Sequence, residues 1–181
     1  NEAAVYVVAK YLGLTFVPPT VVRELPRQSG GTARVSVQLW NPEAVKPASR
    51  DDLARVDADT LRAAAAFDYA VQQVDRIGRN WLLVPRTDGS AALVLIDHGL
   101  TFSVDIWAVR LTGSVDPQHA GPARSDVIDY VTDNGLSPDY SVLVPLLQCD
   151  LRTLLGHLLD EEIIAAFEER VRLVLSEQKI G

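Results

Sequence analysis

The chain has no methionine, a single cysteine and few lysines, and each scarcity excludes something. With Cys149 alone there is no internal disulfide, and His98, His119 and His157 are too scattered for zinc-ligand spacing. No apolar run approaches the roughly 18 to 20 residues that cross a bilayer, and the start, Asn1-Glu2-Ala3-Ala4, lacks the basic stretch and apolar run of a signal peptide. We therefore expect a cytoplasmic chain with no transmembrane segment. Because position 1 is not methionine, we also expect residues upstream of Asn1 in the translated protein. The lysines are Lys10, Lys46 and Lys179, and no Lys/Arg cluster offsets the net charge of -7. Such a surface repels phosphate backbones and anionic bilayers, so no nucleic-acid partner is expected.

What is present is enough apolar content, 48% of 181 residues, to bury a core of one domain or the larger part of one. Ala4, Val7, Val8, Tyr11 and Leu12 recur on one helical face, which predicts a helix over 2–12 ended by Gly13. A turn at Pro18-Pro19 within 16–24 and the alternation over 34–40 predict a first β-hairpin, looped at 28–32. Residues 41–50 read as a connector, after which Asp57 or Asp59 caps a helix running through Leu61, Phe67 and Val74 to about Asp75. Strands over 81–84 and 92–96, joined by Thr87-Asp88-Gly89-Ser90, predict a second hairpin. The irregular stretch from Phe102 to Pro122 reads as either a functional loop or a mobile one. Helices are then expected over 125–132, 138–147 and 151–159, with a final one capped by Asp160 that buries Ile164, Phe167, Val171 and Val174.

Chemistry concentrates in Val74-Asp75-Arg76-Ile77-Gly78-Arg79-Asn80 and in Ile96-Asp97-His98-Gly99. The first places Asp75 and Asn80 in a loop between helix and strand; the second places Asp97 at the end of the following hairpin. Phosphoryl transfer needs such a set, because it rests on positioning several negative charges with a hard cation and on orienting an attacking hydroxyl. Asp97 and the carbonyl oxygen of Asn80 are suited to the cation, and Asp75 to the hydroxyl. Gly99 permits a sharp turn after Asp97.

Asp75-Arg76 with Asn80, then a hairpin and Ile96-Asp97-His98-Gly99-Leu100-Thr101-Phe102, resembles the signature of the phosphatidylinositol 3- and 4-kinase superfamily. The type II 4-kinases and their bacterial relatives are the nearest in pattern, with HipA-type kinases more distant. The segment from Glu2 through Val17-Pro18-Pro19-Thr20 is similar to what those bacterial proteins carry before the hinge. The resemblance implies an α+β, protein-kinase-like fold with a mostly helical C-lobe, two short β-hairpins and an incomplete N-lobe. Residues 1–40 would be the remnant of the N-lobe and 41–181 the catalytic C-lobe. It implies an ATP-dependent phosphotransferase using Mg2+ (or Mn2+), with Asp75 and Arg76 catalytic and Asn80 and Asp97 on the metal. Glu2 would be the helix glutamate that pairs with the nucleotide-binding lysine, and Gln38, Leu39 and Trp40 would border adenine.

The chain also departs from that pattern. No glycine-rich loop or strand lysine precedes Glu2, and neither Lys10 nor Lys46 matches the family's lysine. The alternative is thus a pseudokinase, or half of a split kinase that borrows its front lobe from a partner. Relatives often have asparagine two residues before the catalytic aspartate, where this chain has Gln73, which leaves that loop's hydrogen bonding open. Arg76 and Arg79 have two readings, phosphate contact or salt bridge to a neighbouring acid. Trp40 and Trp81 are read as core or hinge packing, and His98 beside Asp97 lacks the nucleophile motif of a hydrolase. Over 100–124, Asp105 and Asp116 stand against Arg110 and Arg124, a balance that favours a protein or small-molecule acceptor over an anionic lipid. A purely helical scaffold would instead separate Asn80 from Asp97.

Overall fold

The computed structural model describes residues 1–102 and 125–177. The segment 103–124, on which the acceptor argument from Asp105, Arg110, Asp116 and Arg124 rests, lies outside the described residues, as does 178–181 with Lys179. The fold is mixed α+β with two separate two-stranded antiparallel sheets. No helix among the described residues is long and apolar enough to cross a membrane.

Helix α1, Glu2–Tyr11, ends as its sequence requires. Gly13 takes a left-handed φ of 71° and the Leu14 N–H reaches back to the Ala9 carbonyl, closing the helix end at a residue without a Cβ to clash. Strands β1, Thr20–Pro26, and β2, Thr32–Gln38, pair with Thr20 opposite Gln38. Strand β1 starts four residues later than the expected 16–24, because Pro18 and Pro19 have no N–H to offer a ladder. Of this hairpin only Thr20 is buried, so it stands outside the core.

The connector is not featureless. Ser49 and Asp52 form a reciprocal capping box that starts a 3-10 turn over Arg50–Arg55, and Val45 bridges to Leu83. Asp57, not Asp59, caps helix α2, Ala58–Ala70, by accepting from the Thr60 N–H. Strands β3, Trp81–Pro85, and β4, Ala91–Leu95, form the second sheet with Trp81 opposite Leu95. Helix α3, Asp126–Asp133, is capped by Ser125.

Residues Tyr140–Gln148 are 3-10 rather than the expected α-helix, since Pro145 lies inside the segment and cannot donate to a continuous i to i−4 ladder. Helix α4, Leu151–Leu155, stops short of the expected 159 at Gly156, and α5 runs Glu161–Glu177. The core joins Val5 and Val8 of α1, Phe16, Phe67 of α2, Trp81, Leu83 and Leu95 of the second sheet, and Ile164, Phe167 and Val171 of α5. Phe16 meets Phe67 edge-on at 5.7 Å, and Phe102 meets Phe167 at 5.1 Å.

Candidate functional site

Helix α2 ends at Ala70, about one turn before the expected stop near Asp75, and that early ending builds the site. Gln72 adopts a left-handed φ of 52°, the Gln72 N–H bonds to Tyr69 O and the Gln73 N–H to Asp68 O. This is the glycine-type helix termination made with a glutamine. Arg170 of α5 supports it by donating to Ala70 O and to Gln72 Oε1.

The chain then enters the loop 73–80. Gln73 is fully buried, and its amide settles the hydrogen bonding that the sequence left open. Its Oε1 accepts from the Asp75 N–H at 3.2 Å while its Nε2 donates to the Asp97 carbonyl at 3.2 Å. Asn80 closes the other side of the loop. Its Nδ2 donates to the Asp75 backbone carbonyl and, at 3.1 Å, to Asp75 Oδ2, so its carbonyl oxygen is the atom left for a cation. The strand register places Asn80 against Ile96, whose N–H bonds to Asn80 O at 3.0 Å, one residue short of Asp97. Asp75, Asn80 and Asp97 are therefore gathered at one end of the second sheet.

Asp97 has a φ of 57°, in the left-handed region where aspartate is one of the few non-glycine residues found. Strain of this kind persists only where the surroundings hold it, and here Gln73 holds the Asp97 carbonyl. Gly99 follows closely, its Cα so placed that a Cβ would lie 3.7 Å from Asp97 Oδ1.

Arg76 is fully buried and every one of its guanidinium N–H bonds has an acceptor. Nε and Nη2 grip the two oxygens of Asp68 at 3.1 and 3.0 Å. Nη1 donates to Asn80 O and Ile96 O, and Nη2 also to His98 Nδ1 at 2.9 Å. No donor remains for a phosphate, so Arg76 acts inside the scaffold, with Asp68 and not Asp75 as its partner. Arg79 is exposed and lies 3.9 Å from Asp75 Oδ2.

His98 is buried too. Because arginine only donates, His98 Nδ1 is the acceptor, and Nε2 carries the proton toward Leu95 O at 3.2 Å. Burial first and the Arg76 charge second push its pKa well below the ordinary histidine value, with the Leu95 bond opposing them. It is a neutral structural ring facing inward.

The first turn of α1 abuts the same segment, since Asn1 Nδ2 donates to Gly99 O and Thr101 O at 3.1 and 2.7 Å. Glu2 beside it has a raised pKa, chiefly from burial; the His98 backbone N–H opposes this and the charge of Asp97 adds to it. Lys10 is eight residues along the helix, about 12 Å by the helical rise, too far to neutralise Glu2.

The residues expected near adenine are less engaged. Gln38 Nε2 donates to Thr20 Oγ1 within the hairpin, while Leu39 and Trp40 lie past the end of β2 and are 65% and 64% exposed. Trp40 is therefore not core, whereas Trp81 is fully buried and donates its Nε1–H to Asp126 Oδ2 at 3.0 Å.

Among the described residues no group of three or more His, Cys, Asp or Glu is placed to hold a metal. One carboxylate and one carboxamide oxygen do not form a cage by themselves. They do suit Mg2+, which keeps waters and takes its remaining ligands from substrate phosphates. A cavity of about 620 Å3 between the second 3-10 segment and α5, lined by Tyr140, Val144, Leu147, Arg172 and Leu175, shares no residue with this cluster.

Sequence reasoning missed Asp68 and Ser125. The available signal for Asp68 was a lone carboxylate directly after Ala63-Ala64-Ala65-Ala66-Phe67, a stretch with no exposed residue. No family model matches this chain, and no curated protein matches it.

Proposed function

We propose that this chain is the catalytic lobe of an ATP- and Mg2+-dependent phosphotransferase of protein-kinase-like fold, related to the phosphatidylinositol 3- and 4-kinases. The observation that carries the reading is the pair of amides on Asp75: Asn80 donates to its carboxylate, and Gln73 ties its backbone to that of Asp97. Residues separated by a hairpin in sequence are thereby joined, which supports the reading. The left-handed backbone at Asp97 supports the same reading, because strain of this kind concentrates at functional sites.

In this reading Asn80 Oδ1 and Asp97 would hold Mg2+ together with nucleotide phosphates, and the ion would supply charge neutralisation on the phosphates. Asp75 orients the acceptor hydroxyl and accepts its proton. Its carboxylate is partly exposed, 30%, and so open to an incoming hydroxyl, and the Asn80 amide fixes its rotamer. Arg76 contributes by holding Asn80 and the Ile96 carbonyl, not by touching substrate. The acceptor is a protein or small-molecule hydroxyl rather than a membrane lipid, in keeping with the net charge of -7.

One observation favours the second reading, a pseudokinase or split-kinase module. Glu2 feels the charge of Asp97, and Lys10, the lysine on its own helix, is too far along it to help. Among the described elements, the cation that would bridge Glu2 to a nucleotide therefore has to come from another segment or a partner. Calorimetric titration of Mg-ATP into the chain and into Asp97→Asn separates the possibilities. Binding lost in Asp97→Asn supports the site, and phosphate transfer to a hydroxyl acceptor then distinguishes enzyme from binding module. Equal affinity of the two proteins refutes the site. Binding by neither refutes activity of this chain alone, and the same pair of titrations on a version extended upstream then decides for or against Asp97.

A further inference from the structure

Asp68 has no part in the reaction just described, yet it is fully buried in the last turns of α2 behind an alanine-rich run. A carboxylate there is costly unless its charge and lone pairs are met. They are met by Arg76 in a two-point grip and by Ser125 Oγ, which donates to Asp68 Oδ2 at 2.8 Å. The far side of the same guanidinium holds Asn80 O, Ile96 O and the His98 ring. The left-handed Asp97 thus sits between two neighbours pinned by one group. On the other flank, the Asp126 N–H bonds to Arg76 O at 2.7 Å, and Trp81 bonds to the Asp126 carboxylate.

We infer that Asp68 is a positioning residue which, through Arg76, sets Asn80 and Asp97 in place and couples them to the first turn of α3. An apolar pair of equal volume would fill this space as well or better for stability. It would not draw acceptors from the loop, the end of β4 and the residue after Asp97 to one point. Ser125 is the second arm of the coupling, since its hydroxyl caps α3 at Ile128 N and also reaches Asp68. The inference rests on the phosphotransferase reading only where Asn80 and Asp97 are treated as cation ligands.

The test compares the full chain with Asp68→Asn, Arg76→Lys and Ser125→Ala, by amide hydrogen exchange without ligand and by Mg-ATP titration. Asn keeps volume and loses charge; Lys keeps charge and loses the planar fork. Ser125→Ala removes only the hydroxyl, so it remains informative if the other two do not fold. Exchange at Asn80 and over 97–99 is expected to quicken in every folded variant, while the β1–β2 hairpin is unchanged. Affinity for Mg-ATP falls roughly tenfold or more, as for other groups that orient metal ligands, while metal-free ATP binding does not change. Unchanged exchange at Asn80 and 97–99 in folded variants overturns the inference, and so does a loss of protection spread evenly over α2, α5 and the core. If the unaltered chain binds no Mg-ATP, the phosphotransferase reading of this chain alone fails, and the exchange data alone decide the role of Asp68.

Discussion

The side-chain amide of Gln73 spans two backbones, accepting from the Asp75 N–H and donating to the Asp97 carbonyl, each at 3.2 Å. It is fully buried, so neither bond has water as a substitute. Gln73→Leu leaves both partners unmet and should lower unfolding free energy by about 1–3 kcal/mol per orphaned group, read from urea midpoints. Gln73→Asn is the more discriminating variant. One methylene shorter, it keeps the chemistry but reaches only one of the two backbones, and should cost about 0.5–1.5 kcal/mol with faster exchange at Asp75. A stability equal to that of the unaltered chain would show that the loop closes without the bridge.

His98 gives the fold a pH dependence of defined sign. The folded ring stays neutral because burial and Arg76 lower its pKa, while the unfolded ring takes a proton near its ordinary 6.5. Below that pH the unfolded state binds more protons, so stability falls as pH falls, by up to about 1.4 kcal/mol per pH unit. His98→Asn presents an oxygen to Arg76 and cannot titrate. Urea denaturation between pH 7.5 and about 5 should show a shallower decline for the variant than for the unaltered chain. Parallel curves would mean that the ring is protonated in the fold.

Most of the architecture was legible because it follows from periodicity and punctuation. Gly13 closes α1, Thr87-Asp88-Gly89-Ser90 turns the second hairpin, and the buried face of α5 carries Ile164, Phe167 and Val171 as the spacing predicts. The failures share a cause, that tertiary contacts replaced a local signal. Nothing at Gln72 marks a helix end; the left-handed turn exists because Arg170, nearly a hundred residues away, bonds to both Ala70 and Gln72. Asp75, Asn80 and Asp97 were visible as a spacing. That Arg76 faces inward was not, because Asp68 lies eight residues earlier and one helix termination away.

The sequence offered Asp57 and Asp59 equally as the cap of α2, and the structure separates them. Asp57 accepts from both the N–H and the hydroxyl of Thr60, which hold its pKa below the usual carboxylate range. Asp59 is almost fully exposed and, among the described residues, pairs only with Arg62, at 3.6 Å. Asp57→Ala should therefore cost about 1 kcal/mol in thermal or urea unfolding, and Asp59→Ala less than about 0.5 kcal/mol. A larger effect at Asp59 would place the start of α2 about two residues later.

Glu2 should be a destabilising charge at neutral pH. Burial raises its pKa, the His98 backbone N–H opposes the rise, and Asp97 adds to it. The folded state therefore retains a proton above the ordinary 4.5, and stability is lost as pH rises through the raised value. Glu2→Gln removes the penalty, so it should melt higher than the unaltered chain at pH 7, with the difference closing toward pH 4. Because part of the penalty is the charge of Asp97, the gain should shrink in an Asp97→Asn background, which a double-mutant cycle measures directly. Strict additivity would assign the raised pKa to burial alone. Coupling would show that the first turn of α1 and the Asp97 segment form one electrostatic unit, in which a cation between the two carboxylates is stabilising wherever it comes from.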